Sequence, residues 1–289
     1  MANILCTGIA TLDIINTVEN YPAEDDEIRI IAHEKRRGGN ATNTAVVLSQ
    51  LGHQCHWAGT LANDSDQHII LSELQAFNIN YDYCDFQAQG KIPTSYITLS
   101  QETGSRTICH YRDLAELTFN AFKKINLQAF DWFHFEGRNI KQTMQMMQWC
   151  KQQYPDIPLS VEIEKPCEAI CSLFSFADII FFSQSYAHSL NYTSAHDLCQ
   201  SIGKQYPEKI ISCAWGKDGA GASLQEQYVW QKAVVIKAID TLAAGDVFNA
   251  AMIDQQLKKT SLKSSLQYAC QLAANKCQRQ GITKLSRRN

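Results

Sequence analysis

Long apolar runs and long basic runs are both missing from this sequence. No apolar stretch in its 289 residues approaches the roughly 20 residues that a membrane-spanning helix needs. The formal net charge is −3, and Lys and Arg form no extended block, so the chain lacks the electrostatic footprint of a protein that binds nucleic acid or anionic lipid. We therefore expect a small molecule as the partner, with no nucleic acid and no membrane.

Linker-like segments and paired cysteines are also scarce. The 6 prolines and 14 glycines gather into no linker, which favours a single domain over residues 1–289. The 11 cysteines are an odd number without a Cys-x-x-Cys pair, a pattern typical of free thiols in a reducing compartment. The chain start lacks a basic segment followed by a cleavage site. We expect a cytoplasmic protein, and the spacing of Cys and His assigns no metal ligand.

The sequence does have a regular alternation of short β-branched or aromatic runs and amphipathic stretches. This pattern predicts strands joined by crossover helices, which is an α/β fold with a mostly parallel sheet. Residues 14–37 and 91–112 break the rhythm, because each segment has the pattern of a strand, a polar turn and a second strand. We predict that they form a small antiparallel sheet projecting from the core as a lid or clasp. Such a sheet would cover a ligand, a partner subunit, or both.

The segment from Asp240 to Ala251 carries the clearest chemistry, since small residues in a tight turn lead into an amphipathic helix. The first amides of a helix lack partners and the helix dipole is positive there. The amides of Ala244, Gly245 and Asp246 are therefore predicted to hold a phosphoryl group. A carboxylate among phosphate oxygens costs electrostatic energy, so we predict that Asp246 takes the proton of an attacking hydroxyl. The alternative is that Asp246 only caps the helix.

A second pattern is the pair Gly38-Gly39 followed by Asn40 and Asn43 at the start of a helix. The two asparagines are three residues apart and share one face of the first helical turn, where their amides suit sugar hydroxyls. Together with Asp13, placed at the end of the first predicted strand, they would form a hydroxyl-binding pocket at the carboxyl edge of the sheet. Ordinary helix capping is the alternative explanation.

Together, these two patterns resemble the signature motifs of the ribokinase-like (PfkB) family of carbohydrate kinases. Further segments are similar to the ketohexokinases of that family: Tyr21-Pro22, Asp25 to Arg29, Gly104 to Ile108, Glu136 to Asn139, Glu162 to Pro166, Cys213 to Trp215 with Gly219-Ala220, Cys270-Gln271 and Lys276-Cys277. The resemblance covers nearly the whole chain. It implies a three-layer ribokinase-like fold and transfer of the γ-phosphoryl group of ATP to the C1 hydroxyl of a ketohexose, above all fructose.

The resemblance also implies roles for single residues. Asp246 would be the catalytic base beside an anion hole formed by Ala244 and Gly245. The sugar would be bound by Asp13, Gly39, Asn40, Asn43 and the lid residue Arg106, and Asp25 would reach the sugar of the partner subunit in a homodimer. The nucleotide would lie near Trp215, Lys217, Gly219, Ala243, Gly245 and Cys270. ATP and Mg²⁺ are the implied cofactors, and K⁺ is a further candidate.

The chain departs from the family pattern at two places. Ala243 stands where many relatives have glycine, and we expect the fold to tolerate its methyl group if Ala243 has a negative φ. The magnesium-associated N-x-x-E motif of ribokinases is replaced by Phe182 to Tyr186, as in ketohexokinases, which leaves the metal ligands unassigned.

Other functions stay open on the sequence alone. The chain is alternatively a kinase of the same family for another sugar or a nucleoside, such as ribose, 2-keto-3-deoxygluconate or adenosine, or a sugar-binding regulator without turnover. A dinucleotide-dependent oxidoreductase is disfavoured, because that fold needs G-x-G-x-x-G after its first strand and the stretch from Thr7 to Ala10 offers one glycine.

Overall fold

The structure is a computed structural model, and it describes residues 1–225 and 227–285. Its strands are β1 (Asn3–Thr7), β2 (Thr11–Val18), β3 (Ala32–Gly38), β4 (Gln54–Ala58), β5 (Thr60–Ala62), β6 (Asp85–Gln87), β7 (Thr94–Ser100), β8 (Arg106–Tyr111), β9 (Trp132–Glu136), β10 (Leu159–Ile163), β11 (Ile179–Phe182), β12 (Ile210–Ala214), β13 (Gly219–Leu224) and β14 (Gln227–Lys232). Its α-helices are α1 (Asn40–Gln50), α2 (Gln67–Ala76), α3 (Phe119–Phe122), α4 (Ile140–Gln153), α5 (Gln184–Ser189), α6 (Ala195–Gln205), α7 (Ala244–Leu257) and α8 (Leu262–Cys277).

The central sheet has eight strands in the order β14-β13-β12-β11-β10-β9-β1-β4. The six strands from β12 to β4 pair in parallel, and β13 and β14 add an antiparallel hairpin at one edge. The predicted mostly parallel sheet is thus confirmed. Because parallel strands end at the same edge, the carboxyl ends of β1, β9 and β10 lie side by side there.

Helices cover both faces of this sheet, which confirms the three-layer α/β fold. Successive strand residues point to opposite faces. Ile4 and Cys6 of β1 therefore belong to the apolar cluster that α1, α7 and α8 cover, whereas Leu5 belongs to the cluster on the face of α4 and α6. Strands that are buried on both faces are apolar throughout, as in the run Ile179–Phe182.

A second sheet of four strands projects from the core, in the order β3-β2-β7-β8. It consists of two antiparallel pairs, β2 with β3 and β7 with β8, joined by a parallel pairing of β2 with β7. These strands come from the two segments in which the sequence predicts hairpins, and we call this sheet the lid. Strand β3 leads directly into α1, so the lid and the start of that helix are fixed to each other.

The position predicted for Asp13 is wrong in one respect. The first strand ends at Thr7 rather than continuing toward Asp13, and the chain turns before β2 begins at Thr11. Asp13 is therefore a lid residue, paired with Arg36 of β3 and Ser95 of β7. Gly8 lies at the break, where an added Cβ would overlap the side chains of Glu136 and Ala41. Two short apolar runs with one glycine between them look like one long strand in sequence.

The described helices include none that is long and apolar enough to cross a membrane. All 11 cysteines are free, and six of them are buried. The same residues contain no group of three His, Cys, Asp or Glu side chains placed to hold a metal ion.

Candidate active site

Several of the predicted site residues lie near one another, where the lid, the carboxyl ends of the central strands and the first turns of α1 and α7 come together. The two helices pack against each other, and Asn43 of α1 donates from Nδ2 to Oδ2 of Asp246 on α7 at 2.7 Å. Glu136 ends β9, and Glu162 is the fourth residue of β10. Open α/β folds bind their ligands at this edge of the sheet, so we assign the candidate active site here.

The turn from Ala243 to Asp246, at the start of α7, has amides without partners in the described chain and open space above it, and we call it the anion-binding turn after its predicted role. The amides of Gly245 and Asp246 have no hydrogen-bond partner within the described residues, while the Ala244 amide donates to the Thr241 carbonyl at 3.3 Å. An added Cβ at Gly245 would meet nothing within 4 Å, so the space above this residue is open. Free amides at the positive end of a helix dipole bind phosphate groups well. Gly245 has no positive φ, and its use here is to allow close approach.

Ala243 contradicts the expectation of a negative φ. It is the N-cap of α7 and has a φ of 61°, in the left-handed region, without a side-chain hydrogen bond to the helix. An L-residue in this region costs about 1–2 kcal/mol compared with glycine. The turn thus needs a conformation that glycine would adopt without strain, and the chain tolerates alanine there.

Asp246 is not the helix cap. It is the third residue of α7, it is buried, and its side chain makes no capping hydrogen bond. Burial raises the pKa of Asp246 to about 8, the hydrogen bond from Asn43 lowers it, and the carboxylates of Glu164 and Glu136 raise it. A carboxyl group with such a pKa takes up and releases a proton near neutral pH.

Glu162 forms hydrogen bonds with residues of both α1 and α7. The sequence predicted no role for it. Its Oε2 accepts from Asn40 Nδ2 at 3.0 Å, and its Oε1 accepts from Asn249 Nδ2 at 3.0 Å. Asn40 also donates to Glu164 at 3.1 Å. Burial, followed by repulsion from Asp246 and other carboxylates, raises the pKa of Glu162 well above its usual range. Its position in β10, near the carboxyl edge of the sheet, was the signal that could have found it.

Asp13 is a lid residue whose carboxylate lies beside Gly38, just before α1. Its Oδ1 accepts from Thr11 Oγ1 at 2.9 Å, and its carboxylate packs against the α-carbon of Gly38. Gly39, the N-cap of α1, has a φ of 100°, and an added Cβ would overlap the carbonyl oxygen of Ile9. Both glycines are therefore required by geometry: Gly38 leaves room for a carboxylate, and Gly39 takes a conformation that other residues avoid.

Two lid arginines reach the loop that precedes the anion-binding turn. Arg106 donates from Nη1 to Thr241 Oγ1 at 2.5 Å. Arg36 lies 3.3 Å from Asp240 Oδ2, and the buried ammonium of Lys276 lies 2.9 Å from the same oxygen. Burial would raise the pKa of Asp240, but these two cations hold it below its usual value. The loop is thus held by both the lid and α8.

Of the predicted nucleotide-binding residues, Ala243 and Gly245 lie in the anion-binding turn, whereas the other four lie outside it. Trp215 packs on the α6 face, with its ring 5.0 Å from that of His188. Cys270 belongs to the cluster of α7 and α8 on the opposite face, and burial raises its pKa to about 12. Lys217 is exposed, and Gly219 begins β13. The structure does not bring Trp215 and Cys270 into one apolar cluster.

Asp25 is a predicted site residue that lies away from the candidate active site in the single chain. It lies exposed in the turn between β2 and β3, with a φ of 67°. Among the described residues it forms no hydrogen bond or ion pair with another site residue.

Comparisons with known proteins agree with this geometry. The family model "pfkB family carbohydrate kinase" matches residues 1–288. The chain is 34% identical to ketohexokinase from Mus musculus, over 96% of this chain and 97% of the relative. Among solved structures, ribokinase from Giardia lamblia superposes with a TM-score of 0.82 at 16% identity, covering 98% of this chain and 95% of the other. The nucleoside kinase of Methanocaldococcus jannaschii gives 0.75 at 18% identity, covering 98% and 94%. The chain therefore belongs to the pfkB family of carbohydrate kinases.

Proposed function

We propose that this ATP-dependent sugar kinase is a ketohexokinase, which phosphorylates the C1 hydroxyl of fructose. The observation that carries the proposal is the buried Asp246, held by Asn43 beside two free amides at the start of α7. The 34% identity to mouse ketohexokinase over almost the full length of both chains supports this substrate. Relatives of the same fold include ribokinases and nucleoside kinases, so the substrate depends on a few hydroxyl contacts.

In the proposed reaction, the C1 oxygen of the sugar attacks the γ-phosphorus of ATP as the bond to the β-γ bridging oxygen breaks. ADP leaves with the electrons of that bond, and the hydroxyl proton passes to the Asp246 carboxylate. The amides of Gly245 and Asp246 would hold the transferred phosphoryl group. A base of ordinary strength is sufficient, because phosphoryl transfer has a loose transition state and depends mainly on positioning.

The sugar would be held by Asp13, the backbone at Gly39, Asn40 and Asn43. Asp13 comes from the lid and the others from the start of α1, so closure of the lid would complete the pocket and exclude water that competes as an acceptor. Arg106 would meet the phosphates, since it already contacts the loop before the anion-binding turn. The adenine would lie between the β13–β14 edge and α8.

Magnesium fits this site as an ion carried by ATP. The described residues offer no group of three acidic, His or Cys side chains that could form a protein cage. Mg²⁺ usually keeps several waters and binds phosphates with one or two carboxylates, and it would neutralise phosphate charge here. Potassium, the further cofactor candidate, stays a prediction that a titration of monovalent salts tests.

The experiment that tests the function is ADP release with Mg-ATP and a panel of acceptors. The panel contains fructose, tagatose, ribose, adenosine and 2-keto-3-deoxygluconate, and NMR identifies the phosphorylated carbon. Selective formation of fructose 1-phosphate supports the proposal. Turnover of another acceptor keeps the kinase and discards the substrate, and binding of a sugar without turnover of any acceptor would favour a sugar-binding regulator.

Gly245→Ala should impair binding of the phosphoryl group without disturbing the fold. The added methyl would meet no protein atom within 4 Å, but it would occupy the space proposed for the phosphoryl group. We expect an unchanged or slightly higher melting temperature, because alanine is favoured over glycine in a helix by about 0.5–1 kcal/mol. We expect kcat to fall by about 100-fold or more. Full activity with normal stability would place the phosphoryl group elsewhere.

We propose that the protein is a homodimer whose lids exchange Asp25. Asp25→Ala should raise the KM for sugar about tenfold, because one hydrogen bond to a charged group is lost. At a sugar concentration near the wild-type KM, mixing Asp25→Ala chains with Asp246→Asn chains should then restore activity. In each mixed dimer, one site receives the intact Asp25 of its partner and keeps its own Asp246. Dimers that form without any recovery of activity would show that the clasp is not shared.

A further inference from the structure

Arg37 lies behind the candidate active site and has no part in the function proposed above. It is the second-last residue of β3, and 3% of it is exposed. Its Nη1 donates to Thr42 Oγ1 at 2.8 Å and to Asn43 Oδ1 at 2.9 Å. Asn43 in turn donates from Nδ2 to Asp246 Oδ2 at 2.7 Å. A chain of hydrogen bonds therefore runs from a buried cation through one amide to the proposed base.

Arg37 determines the orientation of the Asn43 side-chain amide. A guanidinium group has donors only, whereas a carboxamide has an acceptor oxygen on one side and a donor NH₂ group on the other. The amide oxygen must therefore face Arg37, and the NH₂ group is left to face Asp246. If the amide turned over, its oxygen would face the carboxylate of Asp246 and the hydrogen bond would be lost.

The ion pair of Arg37 with Glu73 of α2 is incomplete. Arg37 Nε lies 3.6 Å from Glu73 Oε2, and this Nε has no hydrogen-bond partner in the part of the chain that the structure describes. The Glu73 side chain is 32% exposed, so water screens its charge. Replacing a buried ion pair with apolar residues of similar size is often neutral or stabilising for a protein. The ion pair between β3 and α2 therefore does not by itself account for an arginine at position 37.

We propose that Arg37 is a positioning residue for phosphoryl transfer, which holds the Asp246 carboxylate in place for the attacking hydroxyl by orienting Asn43. This inference rests on the role proposed for Asp246. Arg37 acts through Asn43 and needs no contact with sugar or nucleotide.

The charges around Asp246 determine how the loss of Arg37 would be seen. The charged groups that face Asp246 are Arg37 from β3, Glu136 at the end of β9, Glu162 of β10 and Glu164 beyond that strand. Arg37 is the cation in this set, and it lowers the pKa of Asp246, whereas the carboxylates raise it. Without Arg37, Asp246 would lose its proton at higher pH, and the acidic limb of the kcat profile would move in the same direction.

The test compares Arg37→Ala and Arg37→Lys with the wild type, on the acceptor that the wild type uses best. For Arg37→Ala we expect kcat to fall about 30- to 100-fold, with a smaller change in the sugar KM and an acidic limb about one pH unit higher. Lysine keeps the charge but lacks the forked donors, so Arg37→Lys should lose about tenfold in kcat with its limb nearly unmoved.

Two controls separate positioning from simple support of the fold. Glu73→Gln removes the ion pair but leaves Arg37 in place, so we expect lower stability with kcat within about twofold of the wild type. In Arg37→Ala, guanidinium ion at millimolar concentration should restore at least part of kcat by filling the vacated space. Urea has a similar shape without the charge and should restore none.

Arg37→Ala with kcat within threefold of the wild type would overturn the inference. A fall in kcat with an unmoved acidic limb and no response to guanidinium would also overturn it. If the alanine variant does not fold, Arg37→Lys decides, and a wild-type kcat in that variant rejects the proposal. Wild-type turnover and the Asp246→Asn variant test the proposed function separately, so inactive Asp246→Asn with active Arg37→Ala would reject only this inference.

Discussion

Replacing Asp246 with asparagine is expected to lower kcat by about three orders of magnitude while leaving the dissociation constant of the sugar almost unchanged. A general base contributes typically 10²- to 10⁴-fold to a rate. Asparagine has nearly the same shape, and its oxygen can still accept the hydrogen bond that Asn43 now donates to Asp246. Turnover measured by ADP release and sugar affinity measured by calorimetry would show the two effects separately.

The pH profile of the wild type should carry the signature of the same residue. Burial raises the pKa of Asp246 to about 8 in the empty site. A base acts in its unprotonated form, so kcat/KM should rise with pH through this value and level off above it. The residual activity of Asp246→Asn should lack this limb.

Asp254→Asn is the matched control, since it makes the same change on the same helix. Asp254 is fully buried, lies 3.0 Å from His53 Nε2 and accepts from Lys258 Nζ. It has no contact with the candidate active site residues, so we expect lower stability with a nearly unchanged kcat. A wild-type rate in Asp246→Asn would remove Asp246 from the mechanism.

Gly38→Ala is the second substitution with a large expected effect, in this case on sugar binding. The added methyl would overlap the carboxylate of Asp13, and this side chain would have to leave its present position. Loss of a hydrogen bond to a charged group costs about 1.5–3 kcal/mol, so the KM for sugar should rise about 10- to 100-fold. Because Gly38 has no positive φ, alanine fits its backbone conformation, and the fold should be kept.

Gly203→Ala is the control for this substitution. Gly203 lies in α6 on the opposite face of the sheet, and an added methyl would come within 2.9 Å of the Ser223 hydroxyl, which would have to shift. Its kinetics should match the wild type. An unchanged sugar KM in Gly38→Ala, measured beside this control, would mean that Asp13 does not bind the sugar.

The parts of the site that the sequence predicted are those formed by neighbouring residues. The turn from Ala244 to Asp246 and the glycines before Asn40 belong to helix starts, whose geometry follows from local residue types. That these two helix starts lie close together was predicted from the family resemblance and from the fact that parallel strands end at the same edge of a sheet. The hydrogen bond between Asn43 and Asp246 joins residues 203 positions apart.

The parts that the sequence left open depend on distant contacts or on strain. Glu162 binds Asn40 across 122 positions, and no local pattern marks such a partner. The φ of Ala243 follows from the path of the chain into α7, although alanine by itself prefers a negative φ. Asp13 was placed on the wrong strand because the break at Gly8 is too short to show in a pattern of apolar residues.

The strand order also has a consequence for the time at which activity appears during synthesis. Strand β1 lies between β4 and β9, so its second neighbour is made more than a hundred residues later. Long-range parallel pairings of this kind form slowly. The apolar face under α7 and α8 stays uncovered until residues 244–277 leave the ribosome, and α7 carries Asp246. Docking of α7 and α8 onto the sheet therefore completes both the core and the active site. During refolding, the recovery of kinase activity would report when this docking occurs.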